Sequence, residues 1–168
     1  MSRPKLKDLF EEDMDERLAL RVIKREEQFA ADRWAIKRER AQSRAEISEA
    51  NRWLAHRVYL IVRVLEKNDL TWVLGERIKA LGVRHRGYTS IDSEPFKQGL
   101  FLFASPLRKD GLSAISREWR REWSDALAFA HSHNVRASRV MEFIDRLGMK
   151  NCHQMWKAAR RPKDSMSA

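Results

Sequence analysis

The sequence is poor in cysteine: Cys152 is the only one among 168 residues, which also include four prolines and six glycines. A single cysteine excludes a disulfide within the chain and any zinc site built on two or four cysteines. The densest apolar run, Val58 to Leu65, is interrupted by Arg63 and is far shorter than the ~20 residues of a membrane span. We therefore expect a cytoplasmic protein with no membrane segment and no secretory leader.

Motifs that carry catalysis or bind phosphate are missing as well. The chain has no Gly-x-Gly-x-x-Gly or other glycine-rich phosphate loop, no nucleophile elbow and no His-Glu-x-x-His pair. His131, His133 and His153 are too dispersed for a zinc site, and the first two are expected to bind the carbonyls at a helix end. We expect no enzyme activity, no metal and no cofactor.

Charge is abundant, and it is unevenly distributed. The chain has 34 Lys and Arg against 24 Asp and Glu, a net charge of +10. Residues 1–50 carry 12 basic and 12 acidic side chains, whereas residues 51–168 carry 22 basic and 12 acidic ones. A strongly basic domain attracts polyanions through counterion release and long-range steering. Nucleic acid is therefore the expected partner, and an acidic protein or a basic surface that only confers solubility is the alternative.

Helix-forming residues dominate the first part of the chain. There is no Gly or Pro from Lys5 to Leu74, and Ala, Glu, Lys, Leu and Arg are frequent. Ser43 and Glu46 have the spacing of a capping box, which predicts that an N-terminal helical arm, residues 1–47, ends there. Its large apolar side chains are expected to dock onto other protein subunits. These candidate partner-binding residues are Phe10, Phe29, Trp34 and Ile36.

The rest of the chain predicts a compact, basic helical domain over residues 48–161, followed by a flexible tail, 162–168. Apolar spacing of three and four residues indicates an all-α fold with about five to six helices after the arm. A short strand near residues 98–104 is the alternative to the helix expected in that segment. The expected helices cover residues 48–67, 70–81, 112–134, 138–147 and 151–161, with one more that starts at Ser93-Glu94-Pro95 and ends before Ser105-Pro106.

Basic residues concentrate in three segments of this domain: a loop at 83–90, one helix between residues 112 and 134, and the C-terminal helix. Arginine and lysine contact phosphates, and an exposed tyrosine stacks on a base. The tryptophans at 119 and 123 share one helix face and are expected in the core. The candidate nucleic-acid contacts are Arg84, Arg86, Tyr88, Arg117, Arg120, Arg121, Lys157, Arg160 and Arg161.

The last two predicted helices have the outline of a helix-turn-helix, with Gly148 and Met149 in the turn and Asn151 as the N-cap of the second helix. The apolar residues Met155 and Trp156 are about one position out of phase with a recognition helix, which favours a plain helical hairpin. We therefore expect a noncatalytic nucleic-acid-binding subunit of a larger assembly, with little sequence specificity. A helical protein-interaction adaptor and a helix-turn-helix-like regulator are the alternatives.

Overall fold

The computed structural model describes residues 13–81, 94–104 and 115–161. Within these ranges the chain forms seven α-helices and a short 3-10 turn, and it contains no strand. The predicted all-α helical bundle is confirmed, and the alternative of a strand near residues 98–104 is wrong because this segment is helical through Phe103. The helices are α1 (Glu16–Arg40), α2 (Arg44–Lys67), α3 (Trp72–Ala80), α4 (Pro95–Phe103), α5 (Arg117–Ser132), α6 (Val140–Leu147) and α7 (Met149–Ala159).

Helices α1 and α2 form an antiparallel hairpin whose turn is fixed by the predicted capping box. The Ser43 hydroxyl accepts a hydrogen bond from the Glu46 N–H at 3.2 Å, and the Glu46 carboxylate accepts one from the Gln42 N–H at 2.7 Å. At the other end of the hairpin, the Met14 N–H donates to Asn68 Oδ1 at 3.1 Å. Since residues 14 and 68 meet, the two helices run side by side over their whole length.

Helix α1 is an integral part of the bundle. The Trp34 side chain is buried, and its indole N–H donates to Asn51 Oδ1 at 3.0 Å. Glu26, which is 2% exposed, accepts hydrogen bonds from Arg57 at 2.7 and 2.8 Å. The described part of the predicted arm, residues 13–47, therefore contributes to the common core instead of extending away from it.

Helix α2 lies at the centre of the bundle, as its wide apolar surface predicts. Leu54, Val58 and Leu65 are fully buried. Helix α4 approaches α2 closely at Gly99, where a Cβ atom would lie 2.8 Å from Val58 Cγ1. This close contact explains why a glycine stands in the middle of a buried helix, where it otherwise costs up to about 1 kcal/mol relative to alanine.

Helices α6 and α7 are joined by Gly148 alone. Its φ of 85° lies in the left-handed region that favours glycine, and α7 begins at the next residue, Met149. The predicted N-cap at Asn151 is wrong, because this residue lies inside α7 and its side chain donates to the Leu147 carbonyl at 2.8 Å. A single-residue junction is shorter than the three- to four-residue turn of helix-turn-helix proteins.

Aromatic packing in α5 follows the prediction in part. Trp123 is 4% exposed and belongs to the core, whereas Trp119 is half-buried against it, with ring centroids 5.6 Å apart. His133 Nδ1 lies 2.9 Å from the Phe129 carbonyl at the end of the helix, as expected for a histidine at this position.

Among the described helices, none combines the length and apolar character needed to cross a bilayer.

Candidate nucleic-acid interface

Helix α7 lies along α5, and the two helices run in the same direction. His153 Nδ1 lies 2.6 Å from Asp125 Oδ2 in the middle of α5. Farther along α7, Arg160 donates to Glu94 Oε1 at 2.6 Å, and Glu94 lines the same cavity as His131, close to the end of α5. The beginning of α7 is therefore directed toward the beginning of α5.

The outward side of α7 is basic. Lys150 and Lys157 are exposed, and their spacing of seven residues places them on one side of the helix, while Arg161 is exposed just after the helix ends. Cys152 is the only residue of α7 that is fully buried, so this helix packs on the bundle through a narrow strip. Within the described part of the chain, none of these three cations forms an ion pair with a carboxylate.

The beginning of α5 adds two more exposed cations, Arg117 and Arg121. Ser116 caps this helix by accepting a hydrogen bond from the Trp119 N–H at 3.1 Å. Arg121 precedes Asp125 by one turn and so lies on the α5 face that meets α7. We call the five exposed cations on these two helices and at the end of α7 the α5–α7 basic surface: Arg117, Arg121, Lys150, Lys157 and Arg161.

Arg120 does not belong to this surface, and the expectation that it projects to solvent beside Arg117 and Arg121 is wrong. Its exposure is 3%, and its guanidinium lies 5.3 Å from the centroid of the Phe101 ring on α4. A helix turns by about 100° per residue, so neighbouring positions face different sides and Arg120 is directed into the core. There it contributes a cation–π contact between α5 and α4.

Arg160 is half-exposed, but it is already engaged within the protein. Its guanidinium donates to Glu94 and lies 5.9 Å from the centroid of the Trp156 ring. The hydrogen bond that Arg160 donates to Glu94 raises the pKa of Arg160 above its usual value. Its charge is therefore partly neutralised before any ligand binds.

Three other predicted contacts, Arg84, Arg86 and Tyr88, lie outside the described residues.

The candidate partner-binding residues of the first helix differ in their exposure to solvent. Trp34 is buried, and Phe29 is half-buried with its ring 6.3 Å from the Trp53 ring of α2. Ile36 is 43% exposed. Phe10 lies outside the described residues. Two of the three described candidates thus hold α1 on α2, and only Ile36 is presented to solvent.

Several arginines of α2 and α3 are paired with carboxylates across helices. Arg77 donates to Glu27 at 2.8 Å, and burial raises the pKa of the Glu27 carboxyl. Arg52 donates to both carboxylate oxygens of Asp145, and this contact lowers the pKa of Asp145. The third such pair is Arg57 with Glu26. These pairs engage one arginine of α3 and two of α2, whereas Lys150, Lys157 and Arg161 form no ion pair with a described carboxylate.

Lys150 is a surface cation that sequence reasoning missed. The signal that identifies it is the segment from Arg146 to Arg161, which contains five basic residues and no Asp or Glu. Within that segment, the spacing of Lys150 from Lys157 matches one helix face. Arg120 is adjacent to Arg121, whereas Lys150 has no basic neighbour in the sequence, so the clustering of basic residues predicted Arg120 and not Lys150.

No family model, no curated protein and no solved structure matches this chain. In the described ranges, no three His, Cys, Asp or Glu side chains are grouped as a metal site requires. The described residues form an all-helical bundle in which α7 carries the exposed Lys150 and Lys157.

Proposed function

We propose that this protein is a noncatalytic nucleic-acid-binding subunit that holds a phosphate backbone on the α5–α7 basic surface. The observation that carries the proposal is the acid-free segment from Arg146 to Arg161, in which Lys150 and Lys157 are exposed on one side of α7 and Arg161 is exposed just after it. Cations that replace the counterions of nucleic acid supply affinity that depends on salt and hardly on sequence. The expected ligand is therefore bound mainly through its backbone.

The length of the basic side of α7 suits several consecutive phosphates. At 1.5 Å per residue, Lys150 and Lys157 are separated by roughly 10 Å along the axis of α7, and Arg161 follows just after the helix ends. A nucleic-acid strand advances about 3.4 Å per nucleotide in a duplex, so the distance between the two lysines corresponds to about three nucleotides. Arg117 and Arg121 extend the same contact from the beginning of α5.

An acidic protein is the second candidate ligand for this surface. Met155 on α7 is 49% exposed, which adds an apolar contact of the kind that protein interfaces use. Its partner would have to supply several carboxylates spaced along α7. An adaptor of this kind predicts no affinity for oligonucleotides at low salt, so one binding experiment separates the two candidates.

The test is a fluorescence anisotropy titration of labelled single- and double-stranded oligonucleotides at low salt. The variant Lys150→Gln/Lys157→Gln/Arg161→Gln removes the two exposed lysine charges of α7 and the arginine charge that follows it, without changing buried residues. We expect it to bind about tenfold more weakly than the wild type, or worse, for every sequence tested.

A matched control comes from α1. Arg17, Arg21 and Lys24 are also exposed and aligned on one helix face, within the charge-balanced first part of the chain. Their replacement by glutamine removes the same net charge and should leave the affinity within about twofold of the wild type. Absence of binding by the wild-type protein, or equal losses in both triple variants, would overturn the proposal.

A further inference from the structure

A cavity of about 280 Å³ opens between the start of α4, the middle of α5 and the second half of α7. Aromatic rings from Phe96, His131 and Trp156 line it, and the Glu94–Arg160 ion pair lies at its edge. Its volume is close to the lower end of the roughly 300–1,000 Å³ typical of small-molecule sites. The cavity therefore has room for one small planar group.

We propose that this cavity receives a single unstacked nucleobase from a strand whose phosphates bind the α5–α7 basic surface. The inference rests on the proposed function and adds the class of ligand, which is single-stranded nucleic acid. Proteins that bind single strands combine a basic track for the backbone with aromatic side chains that stack on bases. Both parts are present here on one helix, α7.

Trp156 connects the two parts of this site. It lines the cavity, and its neighbour in the chain, Lys157, is on the exposed basic side of α7. Arg160 lies near the face of the Trp156 ring and is held there by Glu94. One nucleotide can thus place its phosphate near Lys157 and its base against the indole.

The polar groups in the cavity predict little preference among bases. Ser124 and Ser132 line the cavity; the Ser132 hydroxyl already donates to the Phe129 carbonyl, while a serine hydroxyl such as that of Ser124 both donates and accepts hydrogen bonds. Glu94 adds an acceptor at the edge. Stacking on an aromatic ring is available to every base, so the site selects unpaired bases over paired ones more strongly than it selects a sequence.

The test compares a labelled single-stranded oligonucleotide of about ten nucleotides with an abasic strand of the same length and charge. The wild-type protein is expected to bind the intact strand about five- to a hundredfold more tightly, which is the effect of one stacked base. A duplex of the same sequence should gain no affinity from the cavity, because its bases are not free to enter it, so its binding should be unchanged in variants of the cavity.

Variants then locate the base. Trp156→Ala is expected to lower the affinity for the intact strand to that for the abasic strand and to leave the abasic affinity unchanged. Trp72→Ala is the matched control, since it removes a 49% exposed indole from α3, away from α7. Ala128→Leu fills the cavity without removing an aromatic ring, and it should have the same effect as Trp156→Ala. Circular dichroism and thermal unfolding verify that each variant is folded.

The outcomes separate this inference from the proposed function. If the wild type binds the intact and abasic strands equally, the base site is refuted while backbone binding stands. Equal losses for both strands in Trp156→Ala, with Ala128→Leu unchanged, also refute it. If the wild type binds neither strand at low salt, the proposed function fails and the base site fails with it.

Discussion

At the scale of single residues, the contact between Glu26 and Arg57 joins the first two helices. The Glu26 carboxylate is buried, and both of its oxygens accept hydrogen bonds from the guanidinium. The guanidinium carbon of Arg57 also lies 4.9 Å from the centroid of the Phe29 ring, so Arg57 contacts both Glu26 and Phe29 of α1. Loss of one member of such a pair leaves an uncompensated charge in the interior.

Arg57→Met is expected to lower the free energy of unfolding by about 3 kcal/mol, because Glu26 is left buried without its partner. Methionine retains an apolar stem against Phe29, so the loss reports mainly on the charge. The double variant Glu26→Gln/Arg57→Met should recover part of that stability. Urea unfolding measures all three proteins, and an Arg57→Met protein as stable as the wild type would contradict this account.

The ion pair between Arg52 and Asp145 links α2 to α6 near the surface. Because the Arg52 guanidinium lowers the pKa of Asp145, this carboxyl stabilises the folded state above its unfolded pKa. That contribution is lost as the pH falls through the lowered folded pKa. The Asp145 side chain is 54% exposed, so solvent screening limits the effect to about 0.5 kcal/mol.

Asp145→Asn is therefore expected to reduce stability slightly at neutral pH and to have no effect in strong acid. Thermal unfolding of the variant and of the wild type at both pH values measures this difference. A loss of equal size at the two pH values would show that the carboxylate charge does not contribute.

At the scale of helices, local sequence signals predicted where most elements begin. The capping box at Ser43 and the proline at residue 95 each mark a helix start that the structure confirms. The signals failed where tertiary contact decides. Arg120 is in helical phase with the buried Trp123 and Leu127, whereas the neighbouring Arg121 is exposed, and α4 covers Arg120 through Phe101. Helical phase and burial together, not residue type, determine which arginines are exposed.

Gly99→Ala tests the close approach of α4 to α2. Alanine favours a helix by up to about 1 kcal/mol relative to glycine, but here its Cβ would meet Val58 at 2.8 Å in the core. We expect a net loss of about 1–3 kcal/mol in unfolding free energy, which is typical of overpacking. Thermal unfolding checks it.

Val58→Ala provides the control for this contact. It makes room for the added methyl group, so the combination with Gly99→Ala should be more stable than the sum of the two single losses indicates. Strict additivity, or a Gly99→Ala protein more stable than the wild type, would show that the two helices are not held at this distance by the glycine.

At the scale of the whole molecule, the sequence showed that the second part of the chain is basic but not which cations remain unpaired. The ion pairs of Glu26, Glu27 and Asp145 join residues 31, 50 and 93 positions apart. The spacing of residues in the sequence does not predict ion pairs between residues so far apart. It does reveal the acid-free segment ending at Arg161, because there the absence of carboxylates is local.

The same reasoning explains the difference between the predicted arm and the observed hairpin. Composition predicted a long helix correctly, and α1 has 25 residues. Whether such a helix extends or packs depends on contacts such as Trp34 with Asn51 and Phe29 with Trp53, which form only after α2 folds back. Ile36 is left as the exposed candidate for a protein partner.

The central claim is that the α5–α7 basic surface binds phosphates, and the salt dependence of binding tests it most directly. The slope of log K against log salt concentration should fall in magnitude by about 2 to 3 in Lys150→Gln/Lys157→Gln/Arg161→Gln, at about 0.7–0.9 per lost contact. The α1 control variant should retain the wild-type slope. A wild-type slope in the α7 variant would show that these side chains do not contact the phosphate backbone.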